Sequence, residues 1–223
     1  MPLSLSNVSP GPNANEALDH LRAADPVLAG LIDRAPDPAS LTLYVDSNYK
    51  AELEPYGSLI RAIVGQQLSV AAARSMWNKL LDAFDGSAPD PQTLLDMDVD
   101  ELRARCGLSR AKAASLRSLA EHVLDGRLEL DRFGEMSDAE VEAELIAVKG
   151  IGPWTTHMFL MTQLGRPDIL APGDLGIRKG VQFAYGLEDL PSADEVVIRA
   201  EVWRPWRSVA CRLLWASLEF EPL

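Results

Sequence analysis

Helix signals recur along nearly the whole chain while strand alternation is almost missing, a pattern that restricts the fold to an all-α architecture. NEALDHLRAADPVLAGLIDRA (15–35) carries apolar residues at helical spacing and is broken at Asp25-Pro26, where proline restarts a helix in its first turn. YGSLIRAIVGQQLSVAAARSMWNKLLDAFDG (56–86) reads as two helices, one over Ser58 to Gln66 and one capped by Ser69. APDPQTLLDMDVDELRARCG (88–107) holds a short helix and another beginning near Asp98. LSRAKAASLRSLAEHVLDG (108–126) is an amphipathic helix closed by Gly126. SDAEVEAELIAVKG (137–150) opens with Ser137 and Glu140 in the capping-box pattern. Only LTLYVD (41–46) has the look of a strand, and with no partner segment it reads as a loop or short turn.

At 223 residues the chain has room for one large domain or two small ones. No apolar run approaches the length of a membrane span, so no membrane partner is expected. The opening segment MPLSLSNVSPGPNANE lacks the basic and apolar regions of a secretory signal, and its Pro, Ser and Asn content marks residues 1–16 as a flexible tail. Cys106 and Cys211 are too few for a disulfide framework and fit no zinc or iron–sulfur spacing. These features point to a monomeric cytoplasmic enzyme.

The net charge of −12 argues against nucleic acid if only the sum is considered. The charge is segregated, however. Residues 58–80 carry three bases and no acid, 103–117 five bases and no acid, and 203–212 three bases and no acid. The acids gather in stretches such as DRFGEMSDAEVEAE (131–144) and EDLPSADEVVIRAE (188–201). Basic stretches of this kind are equally readable as solvated helix faces or as a phosphate-facing surface.

VKGIGPWTTHMFLM (148–161) is the most informative stretch. A helix ends, turns through Gly150 and Gly152, and restarts at Pro153, which has no N–H to leave unpaired at the first helical position. The new helix points unpaired amides and the positive end of its dipole at whatever lies before it, which suits a phosphate, and Lys149 flanks the turn. Taken alone, two glycines between helices more often make a plain corner of the core. Asp174, after Pro-Gly and before a helical run, is likewise by itself a helix cap.

AVKGIGPWTTHMF, with LAPGDLGIRKG about twenty residues on, resembles the helix-hairpin-helix (HhH-GPD) DNA glycosylase superfamily, and most closely its alkylation-repair branch, the DNA-3-methyladenine glycosylases II. AIVGQQLSVAAA (62–73), GLSRAKAASLRSLA (107–120) and WRPWRSVACRLLW (203–215) carry the same resemblance, as does LRAADPVLAGLI (21–32) for the shorter members. The resemblance implies two helical lobes with a DNA-binding cleft: 17–55 with 168–223, and 56–167 carrying the hairpin. It implies a partner, damaged double-stranded DNA, held on its backbone by Lys149, Gly150, Ile151, Gly152, Thr155, Arg178 and Lys179. No cofactor is required by it, and it allows a structural monovalent cation, Na or K, on the backbone carbonyls of Ile146, Val148 and Ile151.

The same resemblance makes Asp174 the catalytic carboxylate and Trp154 and Trp215 pocket tryptophans, with Met158 and Leu175 where the family has tyrosines. Gln67 stands where the family inserts a wedge into the duplex, and Leu68 is the alternative. Trp203 and Trp206 read as core residues. The lysine that gives the bifunctional branch its lyase activity is replaced by Trp154, so no lyase activity is expected. The four-cysteine cluster of other branches and the N-terminal β-domain of larger members are not expected either, and the localisation implied is cytoplasmic, on the nucleoid. The function implied is monofunctional excision of alkylated purines in base excision repair. A glycosylase for a deaminated or etheno base, and a non-catalytic DNA-binding protein using the hairpin alone, stay open as alternatives.

Overall fold

The computed structural model describes residues 14–38 and 53–219, which hold twelve α-helices and no strand. The chain opens with α1 (Ala14–Ala24) and α2 (Pro26–Arg34). Next come α3 (Pro55–Gly65), α4 (Val70–Ala83), α5 (Pro91–Asp96), α6 (Val99–Cys106), α7 (Arg110–Leu124) and α8 (Asp138–Ala147). The last four are α9 (Pro153–Thr162), α10 (Leu175–Tyr185), α11 (Ala193–Ala200) and α12 (Arg207–Ser217). Helix α1 begins within the tail expected over 1–16, and α3 begins ahead of Ser58, because Pro55 supplies a first-turn residue with no N–H to satisfy. The LTLYVD segment lies outside the described residues. None of the described helices is long and apolar enough to cross a membrane. Residues 14–38 with 160–219 make one compact unit and 53–159 the other, the division falling inside α9.

In the unit of residues 53–159, local side-chain chemistry sets where each helix starts. Ser69, Asp90, Asp98, Ser109 and Ser137 each accept a hydrogen bond from an amide of the first turn, and Ser137 with Glu140 closes a full capping box. Helix α7 is the axis of the core and packs on α3, α5 and α6. Leu59, Ile60, Ile63, Leu80, Leu94, Leu102, Leu116 and Leu119 are fully buried there. Burying each such side chain stabilises the unit by about 1.5–3 kcal/mol. The Arg117 guanidinium donates to the carbonyls of Leu94, Leu95 and Met97, which satisfies the open end of the short α5.

In the other unit α12 plays the central part, packing on α10, α2 and α1, and every residue from Ser208 to Leu214 is buried. Its polar residues hold the chain that leads toward Asp174. Ser208 Oγ donates to Arg166 O (2.6 Å) and accepts from Ile169 N (3.0 Å), Arg207 Nε donates to Asp168 Oδ1 (2.6 Å), and Arg212 Nη2 donates to Met161 O (2.9 Å). A second anchor is Asp25. Its Oδ1 caps α2 through the amides of Val27 and Leu28, while Oδ2 accepts from the Tyr185 hydroxyl and from Trp203 Nε1 (2.9 Å). Trp203 is fully buried and Trp206 half-buried.

Candidate functional site

The glycine turn closes on itself by two bonds, Val148 N to Leu145 O (3.1 Å) and Ile151 N to Val148 O (3.0 Å), after which Pro153 starts α9. Gly150 has φ +86°, and a Cβ there would stand 2.0 Å from Ser115 Oγ. Both the backbone sign and the close approach of α7 therefore require glycine. Gly150→Ala is expected to destabilise the turn by roughly 1–3 kcal/mol and to weaken DNA binding with it. Thermal unfolding together with a DNA titration checks this, and normal affinity would contradict it. Val148 and Ile151 are buried and Ile146 is exposed. Lys149 is exposed, and its amide donates to Ser118 Oγ (3.2 Å), a second tie to α7.

Gln66, which the sequence reading passed over, joins this turn to the end of α3. Its side-chain amide donates to Gly150 O (2.9 Å) and to Thr155 Oγ1 (3.1 Å). Lys112 adds a further tie at the same end of α3, donating from Nζ to Val64 O (2.6 Å), and burial lowers its pKa. The next residue, Gln67, adopts φ +57° and is exposed, as is Leu68 (37% exposed). A non-glycine residue in the left-handed region needs a surrounding structure that enforces it; Gln66 is tied down just before Gln67, and Leu68 N donates to Gly65 O (3.3 Å) across it. The only hint in the sequence is a pair of glutamines closing an apolar helix.

Thr155 is 3% exposed and its hydroxyl accepts from Gln66, so its side chain faces inward, while its amide belongs to the first turn of α9. Trp154 stands beside it on α9, 48% exposed, and Met158 is half-buried one turn on.

Several bases of the basic stretches are engaged within the fold. Arg117 and Lys112 are bound to backbone carbonyls, Arg103 pairs with Asp100, and Arg204 and Arg207 pair with Asp168. Arg212 is buried on Met161 O. These cations hold the helices' own carbonyls and carboxylates, for which an acid-free sequence neighbourhood gives no sign.

Asp174 is the N-cap of α10. Its Oδ1 accepts from Ile177 N (2.8 Å) and from Trp215 Nε1 on α12 (2.9 Å). A cap of this kind is rigid, and its carboxylate faces the start of a helix whose next residue, Leu175, is 52% exposed. Further along α10, Arg178 is half-buried. Its Nε donates to Pro191 O (2.7 Å), which ties α10 to the turn before α11, whereas Lys179 is exposed. Asp174, Leu175 and Trp215 thus belong to one compact unit, and Trp154, Met158, Gln67 and the glycine turn to the other.

Among the described residues no group of three or more His, Cys, Asp or Glu side chains is placed to hold a metal ion. Cys106 and Cys211 are buried free thiols, and desolvation pushes the Cys211 thiol up to about 12.

Residues 60–207 match the HhH-GPD superfamily of base excision DNA repair proteins. The chain is 37% identical to DNA-3-methyladenine glycosylase 1 of Schizosaccharomyces pombe over 166 residues, 74% of this chain and 72% of that protein. It is 30% identical to the alkylbase DNA glycosidase-like protein mag2 of the same organism, covering 88% of this chain and 90% of that protein. Among solved structures, the 3-methyladenine DNA glycosylase Mag1 of S. pombe in complex with abasic DNA superposes with a TM-score of 0.79 at 32% identity, over 92% of this chain and 97% of that one.

Proposed function

This chain belongs to the HhH-GPD superfamily of base excision DNA repair proteins, and from that premise we propose that it excises alkylated purines, of the 3-methyladenine and 7-methylguanine type, from double-stranded DNA. The observation that carries the reading is the Asp174 carboxylate, fixed at the head of α10 by one backbone and one indole N–H. Breaking an N-glycosidic bond leaves positive charge on the sugar, and a carboxylate held in place before the reaction stabilises that charge without reorganising. Water adds to C1′ and loses a proton toward Asp174. The C1′–N bond breaks, and its electron pair leaves with the base, neutralising the charge that methylation placed there. An alkylated purine needs no general acid to depart, which is why one carboxylate suffices for it.

The base must first be turned out of the duplex. Gln67, held out by the tied end of α3, is the group that fills the gap it leaves. The exposed Trp154 offers a ring face to the extruded base, where a cationic purine gains a cation–π contribution. With Trp154 at the position of the lyase branch's lysine, the reaction stops at the abasic site. A monovalent cation at the turn would rest on the carbonyls of Ile146, Val148 and Ile151. Each carbonyl has two lone pairs, so the bond from Ile151 N–H to Val148 O leaves room for it. The protein acts as a monomer.

On the DNA backbone, Lys179 and Lys149 are the side chains proposed to meet phosphate, and both are exposed. Lys179→Ala is expected to weaken binding uniformly across sequences and to reduce the slope of log K against log salt by about 0.9. Arg178→Ala should leave the slope alone and cost roughly 1–3 kcal/mol of stability, because it strips a charged donor from Pro191 O. Salt titrations of both variants beside their thermal midpoints separate the two roles, and a changed slope for Arg178→Ala would contradict the assignment.

Substrate class is tested with a panel of duplexes holding one lesion each. Faster release of 3-methyladenine and 7-methylguanine than of hypoxanthine or ethenoadenine supports the reading. A preference for the neutral bases overturns it, and binding without release of any base would make the chain a non-catalytic clamp.

A further inference from the structure

We infer that Trp215 serves the reaction by holding the Asp174 carboxylate through its indole N–H, and that Gly176 is the residue that makes this bond possible. Both are positioning residues. The inference rests on Asp174 being the carboxylate that acts at the sugar.

Two donors converge on a single oxygen of Asp174. Ile177 N, from the helix that Asp174 itself caps, lies 2.8 Å from Oδ1, and Trp215 Nε1 lies 2.9 Å from the same atom. The cap bond restrains Oδ1 from within α10 itself. A second donor, approaching the same oxygen from α12, 41 residues away in sequence, narrows its position further. A group that must meet a developing charge loses rate steeply with small misplacement, so fixing it has a kinetic value beyond stability.

Gly176 has no other reason to be glycine. It sits in the first turn of α10 and is absent from the positive-φ glycines, so its backbone asks for no special freedom. In a helix glycine is ordinarily worse than alanine. A Cβ at this position, however, would stand 2.8 Å from Trp215 Cδ1, 2.9 Å from Trp215 Nε1 and 3.0 Å from Asp174 Oδ1. It would enter the angle between donor and acceptor and push the indole edge off the carboxylate. One turn on, Gly180 does the same service for the helix as a whole, since a Cβ there would stand 2.6 Å from Leu214 O of α12. Gly180 brings the helices together, and Gly176 leaves the indole room to reach its acceptor.

A tryptophan that only stacked on a base would need its ring faces and not its N–H. Phenylalanine separates the two roles, as it keeps a ring and removes the donor. The test measures single-turnover base release from methylated duplex DNA, and equilibrium binding to a duplex with an abasic-site analogue. The variants are Trp215→Phe, Gly176→Ala, Asp174→Asn and the double variant Trp215→Phe/Asp174→Asn. Trp215→Phe and Gly176→Ala should each slow release on the order of 10- to 100-fold with affinity unchanged. Gly176→Ala is expected to melt below the wild type, since its Cβ must displace the indole, so release is compared at a temperature where both proteins stay folded. The double variant should release base no more slowly than Asp174→Asn alone, because a residue that acts through Asp174 has nothing left to act on.

Wild-type release by Trp215→Phe overturns the inference, and so does a double variant whose losses multiply. Full release by Asp174→Asn would instead bring down the reading of Asp174 on which the inference rests. Loss in Asp174→Asn alone, with Trp215→Phe and Gly176→Ala unaffected, leaves that reading intact and rejects the positioning pair.

Discussion

Asp174→Asn is expected to slow base release by about 10²–10³-fold while the protein keeps its fold and its affinity for DNA. The substitution is chosen for what it preserves. Asparagine caps a helix as well as aspartate, so the bond from Ile177 N survives, and the amide oxygen still accepts from Trp215 Nε1. What disappears is the negative charge proposed to face the sugar in the transition state. A structural role for Asp174 predicts the opposite pattern, with release intact because the cap is intact. Alanine would be a poorer choice, since it removes cap and charge together and costs roughly 1 kcal/mol of helix stability besides. Release in a single turnover, measured beside the thermal midpoint and the affinity for an abasic-site duplex, reads all three quantities.

The largest effect on stability is expected at Asp25, far along the chain from any of these residues. Asp25→Ala removes the cap of α2 and leaves the buried Trp203 indole and the half-buried Tyr185 hydroxyl without their acceptor. Loss of the cap with two orphaned donors amounts to roughly 3–5 kcal/mol. A domain of ordinary stability has only about 5–15 kcal/mol in total, so the variant should melt far below the wild type. Burial alone would raise the Asp25 carboxyl. The bonds from Tyr185, Trp203, Val27 and Leu28 together outweigh it and hold the group below its ordinary value of 3.8. A folded-state value below the unfolded one means that this stabilisation is complete above the unfolded value and is lost as pH falls through the folded one. Acid titration of stability should therefore show the gap between the wild type and Asp25→Ala at full width near neutral pH, narrowing below about pH 4. A gap independent of pH down to acid unfolding would show that the Asp25 charge contributes nothing.

Some of these features were legible from sequence because their chemistry is local. A serine or aspartate before a helical run meets an amide two or three residues on, so Ser69, Asp98, Ser137 and Asp174 announce their helix starts. Pro153 and the left-handed Gly150 are local in the same sense. What stayed hidden joins residues far apart in sequence. Gln66 reaches Gly150 across 84 residues, Trp215 reaches Asp174 across 41, and Asp25 reaches Trp203 across 178. No periodicity or cap rule records which of two adjacent glutamines turns inward, or that a tryptophan offers its N–H instead of its face. Thr155 and Arg178 show the same limit, because their bonds to Gln66 and to Pro191 O join residues that no local pattern pairs. Composition is blind in a comparable way, as it does not show that Lys112, Arg117 and Arg212 of the acid-free stretches are bound to carbonyls within the fold.

The reaction proposed for this chain is hydrolysis of the bond between an alkylated purine and its sugar, with no step beyond it. It is tested most directly by incubating excess protein with methylated duplex DNA for one turnover, then assaying free base and strand integrity before and after alkali. Free 3-methyladenine or 7-methylguanine, with strand breaks appearing only after alkali, is the predicted result. Intact DNA with no free base, despite binding, would contradict it, and breaks before alkali would contradict the absence of lyase chemistry.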